Sequence, residues 1–381
     1  MENNDNDKHL PLCSICMGSS DSKYMPQLTL TKNGPLGALN LEFGEFELLI
    51  FEFKTIKKSG TEINDKVSYF QKYNLAVSGV ILPIIGFIGI IGNSLVMTVY
   101  GNIEQRNFST NIYLAALAFS DFSMIWTAII LYSIEAWRHH GPVVLSVIYV
   151  RSAEFVFPIS TMLQTTSVYF CVAAAADSFV RIVLSAKIKD KICTPRFARL
   201  LVLSIAIISF LYNVPHFFEL KIIDCIDEAR NNTLSVQVCP TELRNNALYY
   251  ELYYTYMYTI FMAAGPLLII VTLNASIVRV VLKNGASEDS DTISLIVVVF
   301  MFIFCNSAAL LVNFIEMFFA DKVYDVLIYL VDMSNLLVII NCTGNFFCYL
   351  FFGGSFRRTL RKILIGWSSQ FDLESFIDYQ Q

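Results

Sequence analysis

Residues 75–100 read LAVSGVILPIIGFIGIIGNSLVMTVY, with no charged side chain among them. A helix needs about 20 apolar residues to cross the hydrocarbon of a bilayer, because every backbone polar group must be satisfied within the segment. This run meets that requirement. Outward from it the pattern repeats six more times, roughly over Asn111–Tyr132, Ile148–Val183, Leu200–Phe218, Tyr249–Leu282, Ile293–Phe319 and Val326–Phe352. The third and fifth runs exceed the minimum, which implies tilt or extension beyond the lipid. The expected fold is an all-α membrane protein, a seven-transmembrane helix bundle.

The composition agrees. Of 381 residues, 55% are apolar and only 15% are charged, against roughly 25% charged in soluble chains. A net charge of −5 with no basic patch excludes a nucleic-acid binder. The polar remainder suggests a tail over residues 1–72, a spanning domain over 73–354 and an inner segment over 355–381. No signal peptide is expected, since residues 1–30 lack an apolar core, and the first span serves as the insertion signal.

Lysine and arginine give the orientation. Arg106, then Lys187, Lys189, Lys191, Arg196 and Arg199, then Lys283 occupy alternate loops, and Arg357, Arg358, Arg361 and Lys362 follow the last span. The other loops are poorer in base. The basic side is cytoplasmic, so the expectation is a multi-pass plasma-membrane protein with its N-terminus outside. Asn231-Asn232-Thr233, in an outer loop, is a glycosylation sequon. Cys225 and Cys239 lie in that loop and Cys13 and Cys16 in the tail; the four can pair in three ways, of which closure of the loop by Cys225–Cys239 is favoured. Cys13-x-x-Cys16 has no second ligand pair to make a metal site.

Polar groups at membrane depth must find partners there and are functional candidates. Asp121, Asp177 and Asn93 are such groups, and Asn341 and Asn345 share a face of the seventh span. They serve either as interhelical glue or, for Asp121, as a site for a small cation or proton.

Several stretches carry a resemblance. Gly92-Asn93, Leu117–Asp121, Pro266 and Asn345-Phe346-Phe347-Cys348-Tyr349 look like the helix markers of rhodopsin-like G-protein-coupled receptors. Phe352, Phe356, Leu360 and Leu364 recur every four residues among basic ones, as in the amphipathic helix that such receptors lay on the inner leaflet. Gln164–Tyr169 with Cys193-Thr194, Asn213–Glu219 and Phe304-Cys305-Asn306 resemble invertebrate receptors for FMRFamide-related peptides. The resemblance implies a sodium pocket at Asp121, Ser167, Asn341 and Asn345, all oxygen-bearing as a hard cation requires. It implies a packing switch at Pro266, Val168 and Phe302. It further implies a peptide ligand outside and a heterotrimeric G protein inside.

The chain also departs from the family. Asp177-Ser178-Phe179 stands where Asp-Arg-Tyr is usual, so the arginine that meets the G protein is replaced by Ser178. A hydroxyl supplies neither a fixed charge nor a five-donor fork. Arg181, nearly a turn lower, is the available substitute, and Glu288 sits where the sixth helix carries the usual partner acid. Asn306 replaces the aromatic toggle, Ala308 replaces the kink proline, and the third helix has no outer cysteine. Coupling is therefore the open question.

A peptide ending in Arg-Phe-amide needs an acid for its guanidinium and an aromatic pocket for its ring. Glu316 is the first choice of acid and Asp332 the second, with Glu154 and Glu135 also near outer ends; Tyr253 represents the tyrosines crowding the fifth span. The alternative for most of those tyrosines is an interfacial belt. Competing functions are a divergent chemoreceptor, a copy that no longer signals, and a secondary transporter, although no internal repeat appears. No catalytic motif is present, so an enzyme is not expected.

Overall fold

The computed structural model describes residues 69–138, 140–227, 233–284 and 290–365. The sequon at Asn231, Glu288 and the two tail cysteines lie outside them, as do the side chains of residues 316–325, Glu316 included. Five long apolar helices come first: Tyr69–Gly101, Ser109–Arg138, Val143–Val183, Pro195–Phe218 and Ala247–Lys283. Helical backbone then covers Ser290–Phe352, in which Ile296–Val312 and Val326–Phe352 are the apolar stretches. Val312 packs into one cluster with Leu327 and Val331. On a straight helix Val312 and Leu327 would stand about 22 Å apart, so the chain turns back between them. Met301 lies against Gly344, which fixes the two stretches as antiparallel sixth and seventh spans.

Close packing of the first span against the seventh depends on small residues, as in membrane bundles generally. A Cβ on Gly89 would fall 2.3 Å from Thr343 Oγ1 and 2.6 Å from Ile125 Cδ1, and one on Gly92 would fall 2.8 Å from the Phe346 side chain. Phe346 is thus seated on a bare backbone. The inner core gathers Val96, Tyr113, Ala174, Val298 and Tyr349, and the middle one gathers Leu82, Ile125, Leu163 and Ile339.

The fifth span is not a regular helix. Its outer half is wound in wide π turns over Glu251–Met257 and Thr259–Ala264. The last of these ends where the Gly265 N–H donates to Ile260 O. A Cβ on Gly265 would sit 2.2 Å from that carbonyl, so only glycine fits before Pro266.

Between the fourth and fifth spans the chain forms an antiparallel hairpin, β1 (Leu220–Asp227) and β2 (Thr233–Pro240). Leu220, Ile222, Val236 and Val238 share one face, and pack on Tyr149, Val150, Ala153 and Phe157 of the third span. The excess length of that span is therefore an outward extension that carries the hairpin. The ladder corrects the expected disulfide. Cys225 stands opposite Ser235 and Cys239 opposite Lys221, a four-residue offset that separates their Cα atoms by about 14 Å. A disulfide needs Cα atoms within about 7 Å, so Cys225 and Cys239 do not bond each other.

After the seventh span, residues 354–365 are helical. Phe356 and Leu360 are buried against Tyr100 and Tyr349, while Leu364 is exposed. Gln105 donates to Ser355 and Thr359, and Lys362 pairs with Glu104. The helix is amphipathic as its spacing requires, and it is tied to the first inner loop.

Candidate functional site

Asp121 lies at the centre of the bundle with no exposed surface. Ser167 Oγ donates to its Oδ1 at 2.7 Å and Asn345 Nδ2 to its Oδ2 at 2.7 Å, so the carboxylate joins the second, third and seventh spans. Asn93 donates to the carbonyls of Gly89 and Cys342. The oxygens Asn93 Oδ1 and Asn341 Oδ1 are buried without a hydrogen-bond partner. A buried acceptor left unpaired costs about 1–3 kcal/mol. A buried carboxylate and unsatisfied amide oxygens are all oxygen donors, the type that a hard cation such as sodium takes.

Next to Ser167 on the third span, Val168 meets Phe302 in a cluster with Cys171, Ile270 and Val299. Pro266 is buried just above Ile270. Two of the three expected switch residues, Val168 and Phe302, thus meet at the contact of the third, fifth and sixth spans, and Pro266 lies four residues before Ile270 of that cluster. Asn306 turns back on its own helix and donates to Phe302 O at 2.8 Å, as a polar side chain does where no neighbour offers a partner. Tyr349 is buried edge-on to Tyr100, and its hydroxyl has no partner.

At the inner end, Arg181 donates to Asp177 Oδ2 at 3.0 Å and to the Ser109 and Thr110 hydroxyls at 2.9 Å each. Thr110 in turn donates to Asp177 at 2.5 Å. Arg181 therefore ties the bases of the second and third spans together. Ser178 is buried beside this network and adds no charge to it.

The outer end differs most from the expectation. Asp332 is 3% exposed and is held by Asn74 Nδ2 at 3.1 Å and Ser78 Oγ at 3.4 Å. It faces the first span, with Glu135 also buried. Glu154 is half-buried on the third span. Sequence reasoning gave no role to Glu219, which is fully buried at the end of the fourth span. It accepts from Arg244 at 3.0 Å, from Tyr249 at 2.5 Å and from the Tyr254 hydroxyl, and His216 Nδ1 lies at 3.0 Å. Burial alone would raise its carboxyl, but the His216 ring, Arg244 and Tyr249 outweigh that and hold it down at about 2. The available signal was the sequence Pro215-His216-Phe217-Phe218-Glu219 itself, a base and an acid one turn apart.

Tyr253 and Tyr254 are likewise buried, whereas Tyr256 is 54% exposed, so the belt reading suits Tyr256 alone of these three. Tyr253 stacks between Tyr212 and Tyr249 and donates to Tyr212 O. With Gln164, Asn213, His216 and Tyr258 it lines a small crevice between the third, fourth and fifth spans, which has room for little more than one water.

Comparison with known proteins agrees with this geometry. A family model described as 7 transmembrane receptor (rhodopsin family) matches residues 92–349. The chain is 38% identical to the probable G-protein coupled receptor frpr-1 of Caenorhabditis elegans over 79% of its length and 82% of the relative's. It is 28% identical to the FMRFamide peptide receptor frpr-18 of the same organism, over 74% and 67% of the two chains. It is also 28% identical to the FMRFamide receptor of Drosophila melanogaster, over 80% and 56%. A seven-span bundle centred on Asp121, matched by the family model from Gly92 to Tyr349, belongs to the rhodopsin family of seven-transmembrane receptors.

Proposed function

We propose that this receptor binds an FMRFamide-like neuropeptide at its outer face and signals to a heterotrimeric G protein, with its N-terminus outside the cell. The observation that carries the reading is its similarity to two receptors named for FMRFamide. The bundle supports it with a three-span joint at Asp121 and a packed contact of Val168 with Phe302 between the third and sixth spans. Peptide binding favours an arrangement in which the inner ends of the fifth and sixth spans move apart and open a cleft for the partner.

The peptide guanidinium pairs with Glu316, since Asp332 is already engaged by the first span. The test is a signalling assay in cells with a panel of amidated and free-acid peptides. The parent should respond to Arg-Phe-amide peptides and not to their free acids. Glu316→Gln should weaken them by about 2–5 kcal/mol. A panel without any response, from a receptor shown to be at the surface, sinks the reading.

Asp121, Ser167, Asn341 and Asn345 are the residues that would hold a sodium ion, which would supply positive charge to a buried carboxylate. Exchanging choline for sodium should lower the thermal stability of the parent and leave Asp121→Asn unchanged; equal behaviour of the two argues against the site. The specific observation favouring a second reading, a receptor copy that binds without signalling, is Ser178.

A further inference from the structure

The hairpin poses a question of covalent chemistry. Cys225 and Cys239 are both disulfide-bonded, yet the ladder holds them too far apart to bond each other. They also share the face opposite to Leu220, Ile222, Val236 and Val238, by the alternation of side chains along a strand. That face points away from the bundle, where a bare hairpin would meet solvent. Cys225 is nevertheless 0% exposed and Cys239 1% exposed, and neither joins an apolar cluster among the described residues. Each therefore has a bonding partner other than its neighbour on the hairpin.

The remaining cysteines identify it. Cys171, Cys193, Cys305, Cys342 and Cys348 carry thiols. Of the nine cysteines in the sequence, this leaves Cys13 and Cys16. We propose that the N-terminal tail is cross-linked to the outer hairpin by two disulfides, Cys13 and Cys16 each bonding one of Cys225 and Cys239. The spacing fits. An extended Cys-x-x-Cys places its Cα atoms about 10 Å apart, the hairpin pair stands about 14 Å apart, and each bridge spans about 5.5 Å. The third span has no outer cysteine for this loop, and the tail supplies the tether instead. Each bond forms by exchange with the disulfide of a secretory-compartment oxidoreductase. Two protein thiols give up two protons and two electrons, and the oxidoreductase leaves as its dithiol.

The test uses the full-length receptor with an N-terminal epitope tag and a protease recognition sequence inserted between Asn33 and Gly34, thiols being blocked before solubilisation. After cleavage the tagged fragment should stay with the receptor on a non-reducing gel and leave on addition of dithiothreitol. Cys225→Ser alone should retain it through the remaining bond, and Cys13→Ser with Cys16→Ser together should release it without reductant. Non-reducing peptide mapping of the uncut parent should find both tail cysteines joined to hairpin peptides. The proposal is overturned by release from the parent without reductant, by a Cys225–Cys239 peptide, or by retention only at twice the monomer mass. The parent carries no cysteine substitution, so a variant that fails to fold does not affect this outcome.

Discussion

Glu219 has no exposed surface and is engaged by groups from the fourth span, the loop after the hairpin and the fifth span. Each of those groups is attracted to the ionised form, which is why the carboxyl stays charged where burial would neutralise it. Glu219→Gln keeps the shape and removes the charge. Arg244, 4% exposed and stacked over Phe157 and Tyr254, then loses the carboxylate it meets at 3.0 Å. Breaking a buried pair in this way costs about 3–5 kcal/mol, so thermal unfolding of the purified variant should begin well below that of the parent. A variant as stable as the parent would show that the cluster is solvated. The pH dependence has a definite sign. The folded carboxyl sits at about 2 against an ordinary 4.5, so its contribution, about 3 kcal/mol, is complete above pH 4.5. It is lost as pH falls from there toward 2. Acid melting of Glu219→Gln should lack that slope.

At the level of elements, the first span shows what a membrane helix gives up in order to pack. Without a hydrophobic drive between helices, association rests on close contact, and Gly89 and Gly92 provide it by carrying no side chain toward Thr343, Ile125 and Phe346. Gly89→Ala forces at least two of those neighbours to move and should destabilise the receptor by about 1–3 kcal/mol. Combining it with Ile125→Val and Thr343→Ala, which remove the colliding atoms, should recover most of the loss in the same thermal assay. The spans were legible because a bilayer imposes one strong rule, length without charge, and all seven expected runs have a counterpart. The hairpin was not, because Leu220–Pro240 is short and alternates weakly, and it holds its register by packing on an extension of the third span. The cysteine pairing failed for the same reason, since proximity in sequence ignores a ladder offset. Asp121 and Asn345 were legible as polar groups at membrane depth, and Ser167 through the resemblance to receptor helix markers. Glu219 was not, since its meaning depends on Arg244, Tyr249 and Tyr254 arriving from the far side of the hairpin.

Across the whole molecule, signalling depends on whether the inner end can open and what holds it shut. The arginine present there, Arg181, directs one guanidinium nitrogen to Asp177, Ser109 and Thr110, all on the second and third spans. None of these bonds need break when the sixth span swings away. An ion pair between the third and sixth spans at that surface would be worth up to about 1 kcal/mol, or about 5-fold in the ratio of closed to open states. Ser178→Arg puts a guanidinium one turn above Arg181, where it is free to pair across to the sixth span and to meet a G protein once the cleft opens. Two effects should follow in nucleotide-exchange assays with reconstituted G protein. Ligand-free exchange should fall, by up to about 5-fold, because the closed state gains a contact. Agonist-driven exchange should rise relative to that baseline, because the open state now presents a fixed charge to its partner. A substituted receptor identical to the parent in both would mean that Arg181 already performs the missing arginine's task. A parent silent under agonist, beside a substituted form that responds, would mean that the binding half has outlived the coupling half.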